Sequence, residues 1–226
     1  MKTISTIIFF ISIILISSKN VVIIGDSRIC GMGAYVFGFD YSWHNPYYGT
    51  GSYMITTNPK AYGGHNVKVI AEVGASYYTF TNAGKEVYKG VYNILNASTK
   101  GTVVLMWLGV NNLDSGSTYN YYYSLAKQYK SFTFYAVSVT GVSSKSDISN
   151  DTIKRFNSNL KSKVSYSGLS NLKFKNILYN ENPTQIYNSS SGKITFKVTD
   201  GTTDSYGIHY FADGYREIFY AMVAGI

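Results

Sequence analysis

Four short segments of this 226-residue chain carry groups that could do nucleophilic chemistry. Gly25-Asp26-Ser27-Arg28 offers a hydroxyl, Gly74-Ala75-Ser76 a glycine amide, and Gly109-Val110-Asn111-Asn112 a side-chain amide. Asp204 to Tyr210 offers a carboxylate and an imidazole. A serine hydroxyl is a poor nucleophile until a base takes its proton, and imidazole is the side chain best suited to that near neutral pH. Ser27 and His209 are the candidates for the two roles. Asn111 brings an NH2 donor, and Gly74 a backbone N–H that can approach closely because no Cβ intervenes. Each also has a plainer explanation: Ser27 as a helix cap, Asn111 as a loop amide bonded to backbone, Gly74 as a turn residue.

The elements that must position these residues are legible as apolar runs. Residues 21–24 are continuously apolar and β-branched and end at Gly25; 67–73 end at Gly74 and 102–108 at Gly109. A fourth run covers 132–139, and a weaker fifth, with two lysines, covers 172–178. Between and after them, 84–98, 119–129, 148–164 and 214–223 place apolar residues near a 3.6 period, which predicts helices. Continuous apolar strands alternating with helices predict an α/β fold, a three-layer αβα sandwich around a parallel sheet of about five strands. Residues 185–203 break the alternation, and 193–199 read as an edge strand or hairpin inserted before the last helix. Ligands of such sheets collect beyond the carboxyl ends of the strands at a switch point, where the first three segments fall.

Composition narrows the function classes. With 45% hydrophobic residues and 3 prolines the chain has ample material for a core and no sign of a long linker. One cysteine, Cys30, excludes an intramolecular disulfide and a cysteine-based zinc cluster. The net charge of +8 comes from lysines scattered singly, with only three arginines, so no nucleic-acid partner is expected. His44 and His65 sit in a Gly-, Tyr- and Asn-rich segment and read as exposed or pocket-wall residues. No metal-ligand spacing appears, and Gly31-Met32-Gly33 lacks what a phosphate loop needs, so neither metal nor cofactor is expected.

Met1-Lys2, the apolar stretch 4–16 and Ser17-Ser18 predict a signal peptide over 1–18, leaving 19–226 as one domain. As a helix the stretch spans about 20 Å, short of a ~30 Å hydrocarbon core, so no membrane association is expected after cleavage. The expected product is a secreted monomer. The sequons at Asn96, Asn150 and Asn188 would be used only in a eukaryotic secretory path.

The four segments, in this order on matching strand ends, resemble the blocks of the SGNH, or GDSL-like, hydrolase superfamily. The similarity runs from about Val21 to Ile226 and is nearest to a secreted branch with Gly-Asp-Ser-Arg at the serine and Gly-x-His-Tyr at the histidine. It implies a flavodoxin-like fold, a serine esterase with Ser27 as nucleophile and His209 as base, and an oxyanion hole from Ser27, Gly74 and Asn111. Two positions depart from the pattern. The family places its acid three residues before the histidine, where this chain has Tyr206; the nearest carboxylate, Asp204, stands five before. A two-residue bulge could bring Asp204 to the ring; otherwise Tyr206 or a backbone carbonyl orients it, leaving a Ser-His dyad. Asn112 stands where the family commonly has Asp.

For substrate contact the candidates are Arg28, Tyr41, Trp43, Tyr47, Asn112 and Tyr206. Arg28 could bind a substrate anion or pair only with Asp26. The aromatic stretch from Tyr35 to Tyr53 suits sugar rings or acyl chains, or else covers core. The expected substrate is an O-acyl ester, above all an acetyl ester on a carbohydrate, with lipid esters next. The alternative is a weak or inactive relative that binds glycans or a cell-surface partner.

Overall fold

The structure, a computed structural model, describes residues 18–39 and 52–226. β1 (Asn20–Gly25) runs directly into α1 (Ser27–Tyr35). Two short strands, β2 (Tyr53–Ile55) and β3 (Lys60–Tyr62), precede β4 (His65–Glu72), α2 (Tyr77–Thr81) and α3 (Glu86–Asn96). Then come β5 (Val103–Trp107), α4 (Ser115–Gln128), β6 (Thr133–Val137), α5 (Asn150–Ser165) and β7 (Leu172–Lys175). A 3-10 turn at Tyr179–Glu181, the hairpin β8 (Gln185–Asn188) and β9 (Lys193–Lys197), and α6 (Ala212–Val223) complete the chain.

The five expected runs form the parallel heart of the sheet, in the order β4-β1-β5-β6-β7. Numbered among themselves these strands read 2-1-3-4-5, the flavodoxin-like order, whose switch point lies between β1 and β5. α1 and α6 pack together on one face; α4 packs against α5 and α2 on the other, with α3 beside α2. Val21 to Ile24 and all of β5 are buried, because strands covered on both faces have no polar side. Among the described residues no helix is long and apolar enough to cross a membrane.

Two features differ from the sequence expectation, and a third decides between alternatives it left open. β2 and β3 add antiparallel to β4, so the sheet has seven strands rather than about five. Of the two alternatives for the segment before the last helix, edge strand or hairpin, the structure has the hairpin, a separate two-stranded sheet. α1 is the helix that periodicity hid: Gly31 and Gly33 interrupt its apolar stripe because a Cβ there would sit 2.6 Å from Tyr215 Oη or 2.4 Å from Met54 Sδ. The lysines of β7 are explained by its place at the sheet edge, where Lys173 is exposed.

Candidate active site

Gly25 pairs with Ala71 of β4 and with Trp107 of β5, so the three strands end at one level and their loops converge beyond it. At Gly25 the chain turns from strand to helix with no room for a side chain; a Cβ would lie 2.2 Å from Ile29 Cγ1. Asp26 caps the helix, its Oδ1 accepting from the Arg28 amide at 3.0 Å, and Ser27 is the first helical residue. The first-turn amides of a helix have no acceptor inside it, so the backbone around Ser27 presents donors where its hydroxyl emerges.

His209 arrives from the far end of the chain on a tightly closed loop. Thr203 and Tyr210 form an antiparallel bridge, and the Asp204 amide donates to His209 O at 2.9 Å. Gly207, at φ +71°, makes the turn and donates to Asp204 O at 3.1 Å. Asp204 and His209 are therefore partners across a neck. Asp204 Oδ2 lies 2.7 Å from His209 Nδ1, and His209 Nε2 lies 2.8 Å from Ser27 Oγ. No bulge is needed: the two extra residues go into the turn, whose tip is Tyr206 at 69% exposure.

Asp204 Oδ1 accepts from the amides of Tyr206, Ile208 and His209 at 3.1, 3.2 and 3.4 Å. Partial burial pushes this carboxyl up, but the hydrogen bond and charge of His209, followed by the amides, outweigh it and hold its pKa below the usual value. An ionised Asp204 only accepts, which puts the proton of a neutral imidazole on Nδ1 and leaves Nε2 as acceptor for the serine hydroxyl.

Asn111 and Gly74 sit on neighbouring loops that are tied together. Asn111 Nδ2 donates to Ala75 O at 2.9 Å, which uses one of its two amide hydrogens. Gly74 is exposed and adopts φ +74°. Asn112 is also exposed, and its Oδ1 accepts from the Asp114 amide at 3.1 Å in the turn that leads into α4.

Arg28 corrects one expectation. It is 0% exposed and points into the protein, so it cannot meet a substrate anion. Its Nε lies 3.4 Å from Asp26 Oδ1, and its guanidinium sits over the Trp107 ring, 4.4 Å from the centroid. The alternative of pairing with Asp26 is the one the fold adopts. Tyr41, Trp43 and Tyr47 lie outside the described residues, as do His44 and residues 1–17 of the expected signal peptide. Of the described part of that aromatic stretch, Phe37 and Phe39 belong to the core, Tyr35 stacks on Tyr215, and Tyr53 is exposed. His65 is buried at the start of β4 rather than exposed. Among the described residues no three His, Cys, Asp or Glu side chains group as metal ligands.

Sequence reasoning passed over Thr140, Gly141 and Ser143, in the loop that follows β6. Ser143 donates its amide to Gly207 O at 2.9 Å, and its Oγ accepts from Thr203 Oγ1 at 2.9 Å. These contacts form the floor under the histidine loop. The available signal was their place after the fourth apolar run, at the edge where the other site residues gather.

The arrangement is that of a flavodoxin-like α/β protein with a serine, a histidine and an aspartate hydrogen-bonded in series at the carboxyl edge of its sheet. No protein-family model matches the sequence, and comparison with curated proteins finds no significant match. Solved structures do match. A family 3 carbohydrate esterase from Clostridium thermocellum aligns over 91% of this chain and 93% of its own, with a TM-score of 0.53 and 16% identity. Phospholipase A1 from Streptomyces albidoflavus NA297 aligns over 92% and 98%, with a TM-score of 0.54 and 13% identity. A protein from Parabacteroides merdae assigned as a GDSL-like lipase aligns over 91% and 94%, with a TM-score of 0.52 and 7% identity. The fold is that of the SGNH, or GDSL-like, hydrolases.

Proposed function

We propose that this protein is a serine ester hydrolase. The observation that carries the reading is the hydrogen-bonded series Asp204 Oδ2, His209 Nδ1, His209 Nε2 and Ser27 Oγ, with contacts of 2.7 and 2.8 Å. Ser27 Oγ attacks the ester carbonyl carbon while His209 Nε2 takes its proton, and Asp204 holds the ring and stabilises the imidazolium. The carbonyl oxygen becomes an oxyanion that accepts from the Ser27 and Gly74 amides and the second hydrogen of Asn111 Nδ2. Collapse of the tetrahedral intermediate breaks the bond to the alcohol oxygen, which leaves with the proton from His209. Water, deprotonated by the same imidazole, then attacks the acyl-serine and releases the acid.

The substrate we infer is an O-acyl ester on a carbohydrate, in particular an acetyl ester. Exposed aromatic rings at this edge support that choice: Tyr206 at the tip of the histidine loop and Phe211 just after His209 present flat faces of the kind that stack on sugars. The carbohydrate esterase that shares the fold fits it as well. The apolar stretch 4–16 supports export, so N-terminal sequencing of the mature protein is expected to begin near Lys19.

The test is covalent. A fluorophosphonate should label the purified protein at Ser27, p-nitrophenyl acetate and an acetylated polysaccharide should be hydrolysed, and Ser27→Ala should abolish both reactions without unfolding the chain. Hydrolysis of a phospholipid but not of the polysaccharide would move the substrate to lipid. Full activity in Ser27→Ala would refute the mechanism.

A further inference from the structure

Ser27 and His209 are 182 positions apart, and the hydrogen bond between them exists only because two distant segments are held in register. Each is followed by a residue that turns into the protein: Arg28 after Ser27, Tyr210 after His209. Both reach the same dipeptide. Arg28 Nη1 lies 3.2 Å from Thr140 O and 3.4 Å from Thr140 Oγ1. Tyr210 Oη lies 2.6 Å from Thr140 Oγ1 and donates to Gly141 O.

The proton directions follow from the chemistry of the partners. A guanidinium can only donate and a carbonyl can only accept. Thr140 Oγ1 therefore accepts from Arg28 and passes its own proton to Tyr210 Oη, whose proton goes to Gly141 O. The relay is sealed from water, with Arg28 and Thr140 at 0% exposure and Tyr210 at 2%. Its anchor is itself fixed: the Gly141 amide donates to Pro183 O at 2.7 Å, and the Asn150 side chain bonds both the amide and the carbonyl of Val142. Asp26 Oδ2 and Arg28 Nη2 find no hydrogen-bond partner among the described residues. A buried ion pair is a weak source of net stability, because desolvation offsets its attraction, and this favours a positional role.

We infer that the relay Arg28–Thr140–Tyr210 is a positioning device that sets the Ser27–His209 separation, with Tyr210 as positioning residue for the base and Arg28 for the nucleophile. The inference rests on reading Ser27 and His209 as that pair. Removing the tyrosine hydroxyl leaves the histidine loop docked through Thr203, Ser143 and Gly207, but lets the end of the loop that carries His209 shift. Misplacement by about 1 Å costs on the order of 10²-fold in rate.

The test is Tyr210→Phe, which keeps the ring against Phe196 and Tyr215, at centroid distances of 6.0 and 5.6 Å. kcat and KM for p-nitrophenyl acetate are measured per site titrated to completion with a fluorophosphonate. The expected result is a roughly 10- to 100-fold fall in kcat with KM within about twofold. Thr140→Val should fall equally, the double variant no further than either single one, and Thr140→Ser, which restores the hydroxyl, should recover most of the loss. Wild-type kcat per titrated site in Tyr210→Phe or Thr140→Val, with only a lower Tm or a smaller titratable fraction, would overturn the inference by showing a purely structural role. If Ser27→Ala is inactive while Tyr210→Phe is not slowed, the positioning idea fails and the esterase reading stands. If Ser27→Ala still hydrolyses the ester, both fall.

Discussion

Asp204 and His209 are joined three times: by the backbone bond from Asp204 N to His209 O at 2.9 Å, by the side-chain bond at 2.7 Å, and by the His209 amide, which donates to Asp204 Oδ1 at 3.4 Å. The backbone bond closes the loop, and the closed loop aims the carboxylate. Asp204→Asn should therefore lower kcat by roughly 10²- to 10⁴-fold with little change in KM, because the amide favours the wrong imidazole tautomer while keeping the geometry. Tyr206→Phe, which keeps the exposed ring, should be nearly silent on p-nitrophenyl acetate. Tyr206→Asp should not raise the rate, since Asp204 already occupies Nδ1. Steady-state kinetics of the three variants checks this.

Asn111 has one amide hydrogen committed to Ala75 O. Its second hydrogen is the oxyanion donor in the proposed mechanism. Asn111→Ala should cost about 10²-fold in kcat and leave KM nearly unchanged, since the charge it stabilises exists only in the transition state. A change confined to KM would make it a ground-state binding residue.

Arg28 and Asp26 are both fully buried, and their interaction spans 3.4 Å. Arg28→Met removes the cation and strands the carboxylate of Asp26 in the core. Urea denaturation should show a loss of about 3–5 kcal/mol. The remaining folded enzyme should show an unchanged KM, because Arg28 does not reach substrate.

His65 is buried, and its Nδ1 has no hydrogen-bond partner among the described residues. Burial, followed by the charge of Lys19, lowers its pKa. The unfolded chain then takes up the proton first as pH falls below about 6.5. Stability from this residue is complete above that pH and is lost as pH falls toward the lower folded pKa. The urea midpoint should drop between pH 7.5 and 5.5, and His65→Gln should flatten that dependence.

Much of the architecture was legible because burial on both faces demands an uninterrupted apolar strand, and 21–24, 67–73 and 102–108 each carry that mark up to a terminal glycine. Those strand ends also marked Ser27, Gly74 and Asn111 as neighbours, since parallel strands in register bring their carboxyl ends to one edge. α1 was hidden because its packing face is partly glycine, and β2 and β3 are too short to show a period.

The sequence by itself determined that Ser27, Gly74 and Asn111 lie at the carboxyl edge, because that follows from local patterns: an apolar run, a glycine and a polar residue. The tertiary structure alone decided how they are aimed. Whether Asp204 or Tyr206 meets the imidazole depends on the bridge between Thr203 and Tyr210 and on a turn at Gly207 docked on Ser143. Whether Arg28 faces solvent or core depends on Thr140, more than a hundred positions away. Such choices rest on contacts between distant segments, and local periodicity carries no information about which of two neighbouring polar residues those contacts will bury.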